Sequence, residues 1–77
     1  MGTERRRKAI ITKILSIITY ATTQGKAIGK SKLTAQICID EGVTQKKADE
    51  YVDLLIRAEK VLESDEGLEF IGDEVNV

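Results

Sequence analysis

Basic side chains that could bind phosphate are concentrated in one part of this 77-residue chain. Ten of its twelve lysines and arginines lie within residues 1–47, which contain only three acidic residues and therefore carry a net charge of +7. Residues 48–77 carry −8, so the overall net charge of −1 hides the segregation. The sequence therefore predicts one basic face, and such a face favours nucleic acid as a partner.

The densest basic run is Arg5, Arg6, Arg7 and Lys8. At the start of a helix these charges oppose the helix dipole, which is slightly unfavourable. Two interpretations follow: the run is a solvated helix end, or it is a flexible arm that contacts phosphate.

The chain lacks the side chains that most enzymes use. It has no histidine and a single cysteine, Cys38, so it offers no nucleophile–base pair, zinc site or internal disulfide. The stretch from Gly25 to Ser31 resembles a phosphate-binding loop, but only three residues separate Gly25 from Gly29 and a helix precedes it. We expect no enzymatic activity, metal or cofactor.

The length predicts a single domain. Polar residues interrupt the apolar run near the N-terminus at Thr12, Lys13, Ser16 and Thr19, so we expect neither a signal peptide nor a membrane span. The single cysteine favours a reduced, cytoplasmic setting.

Two short helices joined by a glycine turn would position many of the basic residues. Ser31 is a good N-cap for a helix at about 32–41, and Gly42 favours the left-handed backbone that ends it. Thr44 would cap a further helix at about 45–60. Two helices joined by a short turn containing glycine are the local pattern of a DNA-reading unit.

The longest predicted helix precedes this pair, at about 3–23, and its apolar residues cover a wide arc. In one interpretation it is the central helix of a three-helix core. In the other, its edge with Ile10, Ile14 and Ile17 faces a second copy of the chain in a homodimer.

Beyond the helices, the pattern changes to an alternation typical of strands, at about 61–71, around a turn of acidic residues and glycine. Leu68 and Phe70 should face the core, and residues 27–28 could supply a third strand. Residues 73–77 show no pattern and form a predicted tail.

The order helix, short strand, helix, glycine turn, helix and hairpin resembles the winged helix-turn-helix family over residues 3–72. Many isoleucines, few amides and many charges are similar to hyperthermophile proteins. The chain thus looks like the small winged-helix transcription regulators of archaeal viruses and plasmids. This resemblance implies a mainly helical α+β fold and sequence-specific binding of double-stranded DNA.

The resemblance also implies which residues touch DNA, because in this family the third helix enters the major groove and the start of the second touches phosphate. Gln45 would read adenine, and Lys46 would reach guanine or phosphate. Glu50 or Asp49 would accept a hydrogen bond from cytosine. The implied contact residues are Lys30, Ser31, Lys32, Thr44, Gln45, Lys46, Lys47, Glu50 and Arg57, together with Arg5, Arg6 and Arg7. For the group at 30–32, a helix cap with solvated lysines is the alternative.

The hairpin departs from the family pattern, since its charged residues are all acidic: Glu63, Asp65, Glu66 and Glu69. It would then be only structural, or serve as an acidic surface for another protein. An alternative function is therefore that of an interaction adaptor in a larger complex, with a basic partner.

Overall fold

Three helices and a short antiparallel hairpin make up the fold. The computed structural model describes residues 2–71, with side chains from residue 4 onward. The elements are α1 (Gly2–Thr23), α2 (Lys30–Glu41), α3 (Gln45–Arg57), β1 (Val61–Ser64) and β2 (Gly67–Phe70). The predicted fold class is confirmed: the chain has a mainly helical, winged-helix-like α+β fold. The predicted tail at 73–77 lies outside the described residues.

Helix α1 is the central helix of the core. Ile10, Ile14 and Ile18 recur every four residues and are at most 2% exposed, packed against side chains of α2, α3 and both strands. Ile17 is half-buried against the same cluster. The prediction that this edge faces a second copy is therefore wrong for Ile10 and Ile14, because the hydrophobic core of the chain itself covers them, whereas Ile17 keeps part of its surface exposed.

The turn between α2 and α3 forms as its residues predict. Gly42 adopts the left-handed conformation (φ 69°), and its N–H donates to the Cys38 carbonyl at the end of α2. Val43 is half-buried against the core. The Thr44 hydroxyl accepts from the Lys47 N–H at 3.1 Å and caps α3.

Two helix boundaries differ from the predicted ones. Helix α2 begins at Lys30 after an extended Gly29, without a side-chain cap, so the prediction of Ser31 as N-cap is wrong. Ser31 lies instead in the first turn and is exposed. Helix α3 ends at Arg57 rather than near residue 60, because Glu59 has a left-handed backbone (φ 62°) that cannot continue a right-handed helix.

The hairpin packs on α1 through β2. Val61 pairs with Phe70, and the Phe70 N–H donates to the Thr22 hydroxyl of α1 at 2.8 Å. On its other edge, β2 is bridged by Ile28, whose N–H and carbonyl bond to Leu68 at 3.2 and 2.7 Å. The predicted third strand is thus a single-residue bridge, and the hairpin is attached at two points along the edge of β2 that faces away from β1.

Replacing Gly67 with alanine is expected to destabilise the fold by more than about 2 kcal/mol and to lower Tm by roughly 10 °C. Gly67 has a φ of 130°, and a Cβ there would lie 2.6 Å from the Ile28 carbonyl oxygen. Gly25→Ala is the control, since its φ is 74° but nothing lies within 4 Å of a Cβ. It should cost only about 1 kcal/mol. Equal losses in thermal unfolding would contradict the close approach of Ile28.

Candidate nucleic-acid interface

The basic run at the start of the chain is part of α1 and exposed. The interpretation of Arg5, Arg6 and Arg7 as a flexible arm is therefore wrong, since these residues are held in helical turns. The Arg6 guanidinium donates to the carbonyl of Glu41 at the end of α2. A cation beside the last carbonyls of a helix is favoured by the helix dipole, so this contact ties α1 to the inter-helix turn.

A second contact strengthens the same junction. Lys13 of α1 pairs with Glu41 at 2.9 Å and with Asp40 at 3.5 Å. The hydrogen bond to Glu41 raises the pKa of Lys13, with smaller contributions from the charges of Glu41 and Asp40. Sequence reasoning did not predict this pair, because the residues lie 27 and 28 positions apart and their spacing carries no signal.

A basic cleft lies where the start of α1 meets the start of α3. Its polar lining comes from Arg6, Arg7, Thr44, Lys47 and Tyr51, its apolar lining includes the side chains of Ile10 and Val43, and it has a volume of about 320 Å³. No carboxylate lines it. The unpaired N–H groups at the start of α3 add partial positive charge. Phosphate is the chemical group that this combination of guanidinium, ammonium and helix N–H groups suits best.

Lys47 also has an acidic neighbour outside that lining. Its ammonium lies 3.3 Å from Glu50 one turn along α3, and both side chains are about half exposed. Exposed pairs of this kind contribute little to stability and are screened by salt. Lys47 can therefore exchange Glu50 for a phosphate oxygen at small cost.

Gln45 has its side-chain amide engaged within the protein. Its Nε2 donates to the Thr34 hydroxyl at 2.6 Å and to Asp49 at 3.1 Å, while its Oε1 lies 3.7 Å from the Cys38 sulfur. Thr34 is fully buried and donates in turn to the Lys30 carbonyl. Reading adenine with Gln45 would require its bond to Thr34 of α2 and its bond to Asp49 within α3 to break. The only signal for this contact in the sequence is a hydroxyl residue on the buried face of α2.

The start of α2 does not join the basic cleft. Lys30 pairs with Asp53, two turns past the start of α3, at 3.1 Å. This hydrogen bond raises the pKa of Lys30, and the charges of Asp53, Glu63 and Asp49 contribute further. Lys30 therefore lies among carboxylates. Ser31 and Lys32 are exposed beside it, and none of the three lines the basic cleft. The start of α2 is nevertheless linked to the start of α3, because Thr34 bonds both the Lys30 carbonyl and Gln45.

The exposed face of α3 carries four charged side chains opposite the core residues. Along the helix they are Lys46, Glu50, Asp53 and Arg57, in the order positive, negative, negative, positive. Arg57 lines a second cleft of about 320 Å³ with Glu50, Asp53 and Arg7 of α1. The structure thus places the predicted contacts Lys46, Glu50 and Arg57 on one face, next to the start of α1.

Within residues 4–71, no group of three potential metal ligands occurs. No helix in the described part of the chain is long and apolar enough to cross a membrane. No family model, curated protein or solved structure matches the chain. Architecture and site together define the class: a winged-helix-like α+β fold with a basic cleft at the start of its third helix.

Proposed function

We propose that this protein binds double-stranded DNA sequence-specifically as a transcription regulator. We place it in the winged helix-turn-helix family, near the small regulators of archaeal viruses and plasmids, and in the cytoplasm. The observation that carries the proposal is the basic cleft, because Arg6, Arg7 and Lys47 converge there on the start of α3 without a carboxylate in the lining. In this proposal, contacts to phosphate supply the affinity, and contacts to the edges of the bases supply the sequence specificity.

In the proposed mechanism, the basic cleft holds a phosphate while α3 lies in the major groove, which is about 12 Å wide and admits a helix. The exposed face of α3 then meets the base edges. Occupation of an operator regulates transcription without a chemical step. The proposal does not require a homodimer, since the α1 edge predicted for it lies in the core.

The end of β2 that joins the acidic hairpin to α1 lies far from the proposed phosphate contact. Helix α1 connects Arg7, in the basic cleft, with Thr22, whose hydroxyl accepts a hydrogen bond from the Phe70 N–H of β2. Fifteen helical residues span about 22 Å, more than two Debye lengths at physiological ionic strength. Repulsion between this end of the hairpin and a phosphate in the basic cleft is thereby screened. Glu63 of β1 lies nearer to α3, since its charge helps to raise the pKa of Lys30, which pairs with Asp53.

Duplex binding should depend steeply on salt. We expect fluorescence anisotropy with a 20-bp duplex to give a slope of log K against log salt of roughly −3 to −5, as three to five phosphates are neutralised. DNA from upstream of the protein's own gene should bind more tightly than random duplex at every salt concentration. Failure to bind any duplex at low salt would contradict the proposed function.

A second candidate function, that of a protein-interaction adaptor, is favoured by the hairpin. None of the four carboxylates at positions 63, 65, 66 and 69 forms an ion pair with the side chains described. Such a surface suits a basic partner. Capture of one stoichiometric protein through the hairpin, together with absence of DNA binding, would favour this function over the first.

A further inference from the structure

The four charged residues on the exposed face of α3 form one continuous stripe. Ala48, Tyr51, Val52 and Leu55 turn to the core, so Lys46, Glu50, Asp53 and Arg57, spaced four, three and four residues apart, point away from it. From Lys46 to Arg57 the stripe is about 16 Å long. This length corresponds to roughly five base pairs of duplex.

The stripe contains only residue types that suit one kind of base pair. Lysine and arginine donate to guanine O6 and N7, and carboxylates accept from cytosine N4. Adenine also presents a donor, at N6, but its neighbouring N7 acceptor repels a carboxylate. Cytosine has no such acceptor beside N4, so Glu50 and Asp53 favour cytosine over adenine. To reach the base, Glu50 exchanges Lys47 (3.3 Å) and Asp53 exchanges Lys30 (3.1 Å), and both carboxylates are about half exposed, so these exposed pairs are weak.

The residue types that read A·T pairs are absent from the stripe. Adenine is read by asparagine or glutamine, and the thymine methyl group by an apolar side chain. The nearest amide, Gln45, is held by Thr34 at 2.6 Å and by Asp49 at 3.1 Å. Leu54 and Ile56, the apolar residues on the two sides of the stripe, are both only partly exposed.

We infer that the stripe selects a core of G·C base pairs, with Lys46 and Arg57 on guanine and Glu50 and Asp53 on cytosine. This inference rests on the proposed DNA-binding function. It adds the class of operator and identifies the four residues that determine it. Arg7, which lines the cleft beside the stripe, contributes affinity without sequence preference, because its proposed contact is phosphate.

The test compares two 20-bp duplexes with the same flanks and a central five base pairs that are all G·C or all A·T. Anisotropy titrations of the full chain should give a roughly tenfold tighter Kd for the G·C core. Replacing guanine in that core by 7-deazaguanine removes N7 and should abolish most of the preference. Unchanged binding to the 7-deazaguanine duplex would overturn the assignment to the major-groove edge.

Lys46→Ala and Arg57→Ala should weaken binding to the G·C core several-fold more than binding to the A·T core, whereas loss of a phosphate contact weakens both equally. Lys60→Ala, at the base of the hairpin, is the control and should leave both Kd values unchanged. If the wild type binds both cores equally, or prefers the A·T core, the inference about G·C selection is overturned but the proposed DNA-binding function is not. Absence of binding to both duplexes overturns the proposed function as well.

Discussion

The Ile14→Ala variant is expected to lose about 2–5 kcal/mol of unfolding free energy. Ile14 is fully buried in the middle of α1 and packs in the one cluster that joins all three helices to the hairpin. Removing three carbons leaves a cavity that a close-packed core cannot fill. In a domain of this size the loss should lower Tm by more than roughly 10 °C, measured by circular dichroism.

Ile39→Ala provides the matched control, because Ile39 is 76% exposed on α2. The same loss of volume there should change stability by no more than about 0.5 kcal/mol. Sedimentation of both variants completes the test. If Ile14→Ala kept its Tm but converted a dimer into a monomer, Ile14 would belong to an interface between copies and not to the core.

The largest expected effect on binding is that of Arg7→Glu. Arg7 lines both the basic cleft and the cleft beside Arg57, so reversing its charge introduces repulsion at the centre of the proposed interface. We expect duplex affinity to fall by roughly 10- to 100-fold at low salt, and the salt slope to become shallower by about one. Tm should change by only a few degrees, since Arg7 is exposed and interactions between exposed charges contribute little to stability.

Lys60→Glu makes the same change in net charge at the base of the hairpin, away from the basic cleft. If the net charge of the protein governed binding, both variants would lose the same affinity. If the basic cleft is the phosphate site, only Arg7→Glu should show the large loss. Similar losses for the two variants would therefore exclude the basic cleft as the main contact.

Local signals predicted most of the fold. Ile10, Ile14 and Ile18 follow the helical period, Gly42 supplies a left-handed turn, and Thr44 caps α3, each through interactions within a few residues of the chain. Local signals failed at Ser31, where a good N-cap residue lies inside the helix. Propensity at a helix end is worth only about 1 kcal/mol, and packing of the neighbouring segment can override it. Here the preceding Ile28 is bonded to Leu68 of β2.

The sequence by itself determined the residue types of the candidate site and the face of α3 that carries them. A helical period orients Lys46, Asp49, Glu50, Asp53 and Arg57 away from the apolar side of the helix. Only the tertiary structure decided which groups lie together. It brought Arg6 and Arg7 to the start of α3, placed Lys30 beside Asp53, and engaged Gln45 with Thr34. It also showed that the apolar arc of α1 packs against the hydrophobic core of the chain itself. The physical reason is that these contacts join residues 11 to 41 positions apart, and their partners depend on how the helices pack.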